Sequence, residues 1–369
     1  MTDGKCIFTE SGLCLNKKIQ RLTNILMSLF ILVGLMLLVV SCHISNTDTT
    51  NGIHTDNTLA SESLEIDSKK YFSIITLPDT QKFIHFKPEI FEKQIRWIIN
   101  NRKKLNIKHV IHLGDIVDED EDISMWETAD KIFTLLDEAK IPYSIAIGNH
   151  DYSMGSGAPV SQYLVREKSN YSKYFPSTRF SRLSTNAMHS YDAYNNYQII
   201  NFGNAKLMVF ALELYPRDRV LTWVKDILTE YSDYKAVIGT HAFLELDGTL
   251  IRDIEFIDEN QQVIDGKPPS IIWEKISKFE NIVGILCGHR INSQGFGSFI
   301  KSVQGPKGNR VVHLLSDYQN ILDLNNPLVG SINILIFDND LRILKVKTFS
   351  PITGNLSNSY SLIGDSESL

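Results

Sequence analysis

Val110-Ile-His-Leu-Gly114 runs directly into Asp115-Ile-Val-Asp118: a short apolar run, a glycine, then carboxylates. The same design recurs at four other places. Tyr71-Phe-Ser-Ile-Ile-Thr-Leu-Pro78 leads to Asp79-Thr80-Gln81. Tyr143-Ser-Ile-Ala-Ile-Gly148 leads to Asn149-His150-Asp151. Ala236-Val-Ile-Gly-Thr240 leads to His241, and Ile282-Val-Gly-Ile-Leu-Cys-Gly288 leads to His289. Apolar runs of this length, bounded by Gly or Pro, suit strands buried on both faces. Residues 88–104, 124–139, 217–230 and 269–279 carry apolar side chains at helical spacing between several of them. Alternation of strand and helix predicts an α/β fold. In such sheets ligands gather beyond the carboxyl ends of strands. Five adjacent ends offering Asp, Asn or His therefore read as one constellation.

Working outward, residues 299–304, 310–316, 331–337 and 341–349 read as shorter strands. Residues 151–200, rich in Ser, Tyr and Asn, read as loops shaping the rim of a cleft. Tyr152, Tyr171, Tyr174 and Phe175 serve either as a substrate wall or as packing within that rim. Taken singly, Asp79, Asp115 and Asn149 would be turn or helix caps. Taken in order with the spaced histidines, they read as a site. Asp151 reads as a support for its own loop, and His109, His112 and His313 as structural.

The chain has 369 residues and a formal net charge of −6, from 37 Lys+Arg against 43 Asp+Glu. That balance excludes a dedicated nucleic-acid binder, which needs a cationic surface to displace phosphate counterions. Four cysteines are too few and scattered for a disulfide framework or a cysteine zinc site. At the N-terminus, Lys17, Lys18 and Arg21 precede the apolar run Ile25–Val40, which ends at Ser41-Cys42. A basic stretch followed by an apolar core is the layout of a secretory signal. The ending resembles a bacterial lipobox, with Cys42 as the lipid-bearing residue; an uncleaved anchor helix is the alternative. Residues 1–41 are thus expected to be a signal peptide or membrane anchor, and 42–70, rich in Asn, Thr, Ser and Asp, a flexible tether. The folded domain is expected over 71–350, with 351–369 as a tail. Either reading of the N-terminus places the domain in the bacterial cell envelope, membrane-anchored and outside the cytoplasm.

These motifs resemble the calcineurin-like metallophosphoesterase family. Its pattern is D-x-H, G-D-x-x-D, G-N-H-[DE], a lone His and G-H-x-H; here it reads DTQ, GDIVD, GNHD, GTH and GHRI. An Asp-Thr-Gln branch of the family is the nearer likeness. It also carries Trp97 and the late segment His313-Leu-Leu-Ser-Asp317-Tyr318-Gln319. The resemblance implies a four-layer αββα sandwich of two mixed sheets flanked by helices. It also implies two divalent metal ions, with Mn, Fe, Zn and Mg all open, and a phosphate-ester substrate. In its terms Asp115 bridges the ions and Asn149, His241 and His289 complete the tighter position. Asp79 and Gln81 serve the looser one. Gln81 and Ile291 each stand where relatives have histidine, and both changes weaken that looser position. A water between the ions would be deprotonated near neutral pH and attack phosphorus in line. Asp118 would orient and charge His150, the general acid that protonates the leaving oxygen. Arg290 and Asn149 would touch the phosphate. The alternative is a catalytically degenerate surface binding protein on the same fold.

Overall fold

The computed structural model describes residues 64–153, 164–183, 188–258, 260 and 262–362. The expected signal or anchor segment, Cys42 and most of the expected tether lie outside them.

Among the described residues the strands form two mixed sheets. The first has the order β13-β12-β11-β1-β2-β3. Its members are β1 (Phe72–Leu77), β2 (Ile107–His112), β3 (Tyr143–Ile145), β11 (Ile332–Phe337), β12 (Ile343–Phe349) and β13 (Leu356–Ser361). β1, β2 and β3 are parallel, and β11 closes antiparallel on β1. The second sheet has the order β4-β5-β6-β7-β8-β10-β9. It comprises β4 (Met188–Ser190), β5 (Asn196–Phe202), β6 (Ala205–Ala211), β7 (Lys235–Gly239), β8 (Ile282–Cys287), β9 (Gly297–Gln304) and β10 (Arg310–Asp317). Here β6, β7, β8 and β10 are parallel.

The side-chain period of two sorts each strand between layers. Phe72 and Ile74 of β1 join Leu207, Val209 and Val237 in the core between the sheets. Ile75 and Leu77 face the other way. There they meet α1 (Gln81–Phe86), α2 (Pro88–Asn101) and α3 (Ile123–Glu138) through Phe83, Ile90, Phe91, Ile95, Trp126 and Phe133. Met208, Phe210 and Ile238 pack outward against α6 (Asp218–Glu230) and α7 (Pro269–Ile276). Two short helices, α4 (Tyr171–Tyr174) and α5 (Ser177–Ser181), cover the first sheet beside α3. The four-layer αββα architecture is therefore as expected. α2 begins on Pro88, whose missing N–H belongs among the unpaired donors of a first turn. α3 begins at Asp122, whose carboxylate accepts from the Ser124 amide at 2.9 Å.

Three expectations change. The segment 151–200 is not only loop, because it carries α4, α5, β4 and the start of β5. Residues beyond 350 are not only tail, since β13 pairs along β12 from Lys345↔Ser361 to Phe349↔Leu356. Within the expected tether, Leu64 and Ile66 pack against the first core, so the ordered chain starts before 71.

Candidate metal centre

The carboxyl ends of β1, β2, β3, β7, β8 and β10 converge at one edge of the two sheets, and backbone bonds tie their loops together. The Asp115 carbonyl accepts from the amides of Thr80 (3.0 Å) and Gln81 (2.9 Å), and the His241 carbonyl from Gly288 (2.9 Å). Asp115 (φ +52°) and His289 (φ +76°) hold left-handed conformations. Such strain costs on the order of 1 kcal/mol each for residues with a Cβ, and persists where the surroundings over-determine it. At both positions it turns the chain sharply off its strand and delivers a donor side chain to the shared edge. Two glycines allow the close approach. A Cβ on Gly148 would lie 2.2 Å from Asp115 Oδ1, and one on Gly288 would lie 2.0 Å from Asp79 Oδ1.

One donor atom each from Asp79, Asp115 and His241 falls within 4.8 Å of the others, and all three residues are buried. His241 Nδ1 donates to the Leu113 carbonyl at 2.9 Å. That bond fixes the tautomer and leaves the Nε2 lone pair facing Asn149 Oδ1 (3.1 Å), Asp115 Oδ2 (3.3 Å) and His289 Nδ1 (3.2 Å). With both imidazoles neutral, these four atoms each turn a lone pair to the same point, a ready cradle for a cation.

The electrostatics agree. Asp79 is fully buried, its Oδ2 accepts from the His289 amide at 3.1 Å, and its Oδ1 meets no hydrogen-bond donor. Burial, then the carboxyls of Asp317 and Asp115, push it well above the usual carboxylate range. Burial also raises Asp317, to about 6. Asp115 goes the other way: burial opposes ionisation, but His241 and His150 outweigh it and hold the carboxyl low. Its partner effect raises His241 against the opposing pull of burial. Several buried carboxyls pressed together in a dry site are costly unless a positive charge joins them. A divalent ion is the group that fits these donors.

Around the centre, the expected residues are placed as follows. His150 donates its backbone N–H to Asp115 Oδ1 at 2.9 Å, and its half-buried ring lies beside the cluster. Its Nδ1 bonds the main-chain carbonyl of Asp118 at 2.7 Å; the Asp118 carboxylate stands 3.6 Å away. That carboxylate is engaged instead by Lys82 Nζ (2.7 Å) and His85 Nδ1 (2.8 Å). The imidazole is thus hydrogen-bonded to the Asp118 backbone, while the Asp118 carboxylate stays within ion-pair range and, against the opposing pull of burial, is held low by Lys82 and His85 and partly by His150. Gln81 is buried and bonds Gln319 through its amide nitrogen, while its Oε1 finds no protein donor. Arg290 is clamped by Glu245 (3.0 Å) and Glu255 (3.0 Å), so its charge is already matched by two carboxylates. Asp151 accepts from the amides of Ile116 (2.7 Å), Gly148 (2.9 Å) and Val117 (3.2 Å), supporting its loop as expected. Tyr152, Tyr171 and Phe175 are fully buried beside Trp126 and Tyr194, and serve packing rather than a substrate wall.

Five residues near the centre carry no assigned role in the sequence reading. Asp317 closes β10, an apolar run that ends in a ligand-type side chain like the other five, and Gln319 follows two residues later. Lys82 and His85 lie on α1 directly after the first motif. Glu255, whose Oε2 sits 3.2 Å from His289 Nε2, comes from an irregular polar segment with no pattern to flag it.

A family model described as calcineurin-like phosphoesterase matches residues 73–308. The uncharacterized protein YvnB of Bacillus subtilis (strain 168) is 29% identical over 289 residues. That stretch is 77% of this chain and 20% of YvnB, so the chain spans about one fifth of that relative's length. Among solved structures, TT1561 of Thermus thermophilus aligns with TM-score 0.42 and 13% identity, covering 76% of this chain and 99% of that one. Purple acid phosphatase PPD1 from yellow lupin aligns with TM-score 0.46 and 11% identity, covering 79% and 53%.

Proposed function

Because this chain belongs to the calcineurin-like phosphoesterase family, we propose that it hydrolyses phosphate esters with two divalent ions held at the carboxyl edge of its sheets. The observation that carries this reading is the convergence of Asp79, Asp115 and His241 within 4.8 Å, with His150 bonded to the Asp115 carboxylate. Asp115, with Oδ2 toward His241 and Oδ1 held by the His150 amide, would serve both ions. Asn149, His241 and His289 would hold one ion, and Asp79 with Gln81 the other. Ions bound there would supply positive charge to the phosphoryl oxygens and acidify water at the site.

The chain's own residues do the rest. With Nδ1–H spent on the Asp118 carbonyl, Nε2 is the ring nitrogen through which His150 would pass a proton to the leaving oxygen. Lys82 and His85 keep the Asp118 carboxylate ionised. Arg290 meets phosphate only if Glu245 or Glu255 yields, so we assign it first to fixing the loop that carries Glu255. The basic stretch, apolar run and Ser41-Cys42 support export and anchoring at the membrane, by lipid or by the helix itself.

The test is hydrolysis by the metal-loaded full chain of p-nitrophenyl phosphate and bis-p-nitrophenyl phosphate. Turnover of either supports the proposal, and their ratio separates monoesterase from diesterase. Metal bound without turnover of any ester would make the protein a degenerate binder on this fold.

A further inference from the structure

The two sides of the centre differ in donor chemistry. Beside Asp115 on one side stand two imidazole nitrogens and an amide oxygen, from His241, His289 and Asn149. On the other side the structure collects oxygen alone. Asp79 Oδ1 is buried without a donor, and so is Gln81 Oε1. Gln81 is held by Gln319, and the Gln319 amide groups in turn grip Asp317, N to Oδ1 at 3.0 Å and Nε2 to Oδ2 at 2.9 Å. Asp317 is fully buried and lies against Asp79. Each Asp317 oxygen accepts from Gln319, and the carboxyl also meets that of Asp79. Acceptors left unmatched in a dry interior, as Asp79 Oδ1 and Gln81 Oε1 are, are costly, more so when charged. A hard cation is the species that would satisfy all of them at once. Asp317 and Gln319 also lie past residue 308, where the family match ends.

We infer that Asp317 is a metal ligand, and that with Asp79 and the amide oxygen of Gln81 it makes this side an all-oxygen position. The protein is then a mixed-metal one by construction. The oxygen side takes Mn²⁺ or Mg²⁺, and the imidazole side takes Zn²⁺ or Fe²⁺. Gln319 is a positioning residue: its Oε1 accepts from Gln81 Nε2, and its N–H groups donate to Asp317, so its side chain is spent on orienting those two. The inference rests on the two-ion reading above and specifies the identity and ligands of one ion.

The experiment is loading of the chelator-stripped full chain with one equivalent each of Zn²⁺ and Mn²⁺ per chain, followed by elemental analysis and Mn²⁺ electron paramagnetic resonance. The wild type should retain about one of each per chain. Asp317→Ala should lower Mn²⁺ content by at least about tenfold and keep Zn²⁺, whose retention reports an intact fold. Gln81→His should replace Mn²⁺ with a second Zn²⁺. Wild-type Mn²⁺ content in Asp317→Ala, or two Zn²⁺ in the wild type, overturns the inference while leaving the proposed hydrolase standing. Uptake of neither ion by the wild type would remove both.

Discussion

His150 Nδ1 lies 2.7 Å from the main-chain oxygen of Asp118 and 3.6 Å from the carboxylate of the same residue. The backbone, not the side chain, aims the imidazole. Asp118→Ala should therefore spare most of the rate. Lys82 and His85, each more than a quarter exposed, can rehydrate once their partner is gone. We expect kcat on an alkyl phosphate to fall by less than about tenfold in Asp118→Ala, against about 10²–10⁴-fold in His150→Ala. With p-nitrophenol as leaving group the His150→Ala loss should shrink, because that oxygen departs without a proton. Equal, large losses in both variants would restore the carboxylate to the role of orienting group.

Glu255 faces the outer nitrogen of His289 while the inner one faces His241. A carboxylate in that place fixes the tautomer and raises the basicity of the inner nitrogen. Glu255→Ala should weaken metal affinity by about 10–100-fold, read by competition with a chelator. Glu255→Gln should recover part of that, since its amide oxygen still accepts from Nε2–H. An unchanged affinity in Glu255→Ala would reduce the contact to loop packing.

Gly288→Ala sets a methyl 2.0 Å from Asp79 Oδ1, a buried atom of a short side chain. The carboxyl must shift, and overpacking of this kind costs about 1–3 kcal/mol. Calorimetry should show a lowered Tm, and elemental analysis a loss of metal from the Asp79 side. Full metal content in a folded Gly288→Ala would mean that Asp79 lies outside the coordination sphere.

Asp120 tests the rim. Burial raises its carboxyl to about 6, and the Asn170 amide donates to it at 2.8 Å. Its unfolded value is about 3.9, so the native state binds the extra proton between about pH 4 and pH 6. Its contribution is complete below the lower value and is lost as pH rises through the upper one. Denaturant unfolding of wild type and Asp120→Asn should give a stability difference favouring wild type more at pH 4 than at pH 7. A constant difference would show that Asp120 titrates alike in both states.

What the sequence made legible was the part governed by short-range pattern. β1, β2, β3, β7 and β8 are apolar runs halted by a ligand, and their order puts Asp79, Asp115, Asn149, His241 and His289 at one edge. β6 escapes because it ends at Leu212-Glu213, where the carboxylate anchors Arg217 (2.7 Å) instead of serving the centre. β5 and β13 escape because Asn196-Tyr-Gln-Ile-Ile-Asn-Phe202 and Leu356-Ser-Asn-Ser-Tyr-Ser361 mix polar side chains into outer positions of their sheets. Glu255 meets His289 across 34 residues of chain, and Lys82 meets Asp118 across 36. Such pairs are set by tertiary packing, and no local spacing announces them. Asp317 sat within reach of the strand-then-carboxylate rule, but its value as a donor shows only when Gln81 is seen with an oxygen to spare.

Asp115 is proposed to bind two cations that the rest of the centre shares. Equilibrium dialysis of the full chain and of Asp115→Asn against divalent metal, with p-nitrophenyl phosphate turnover followed in the same samples, tests it most directly. The wild type should hold about two ions per chain and turn over ester, and Asp115→Asn should hold neither ion tightly and be inactive. An Asp115→Asn protein with wild-type metal content and rate would contradict the account.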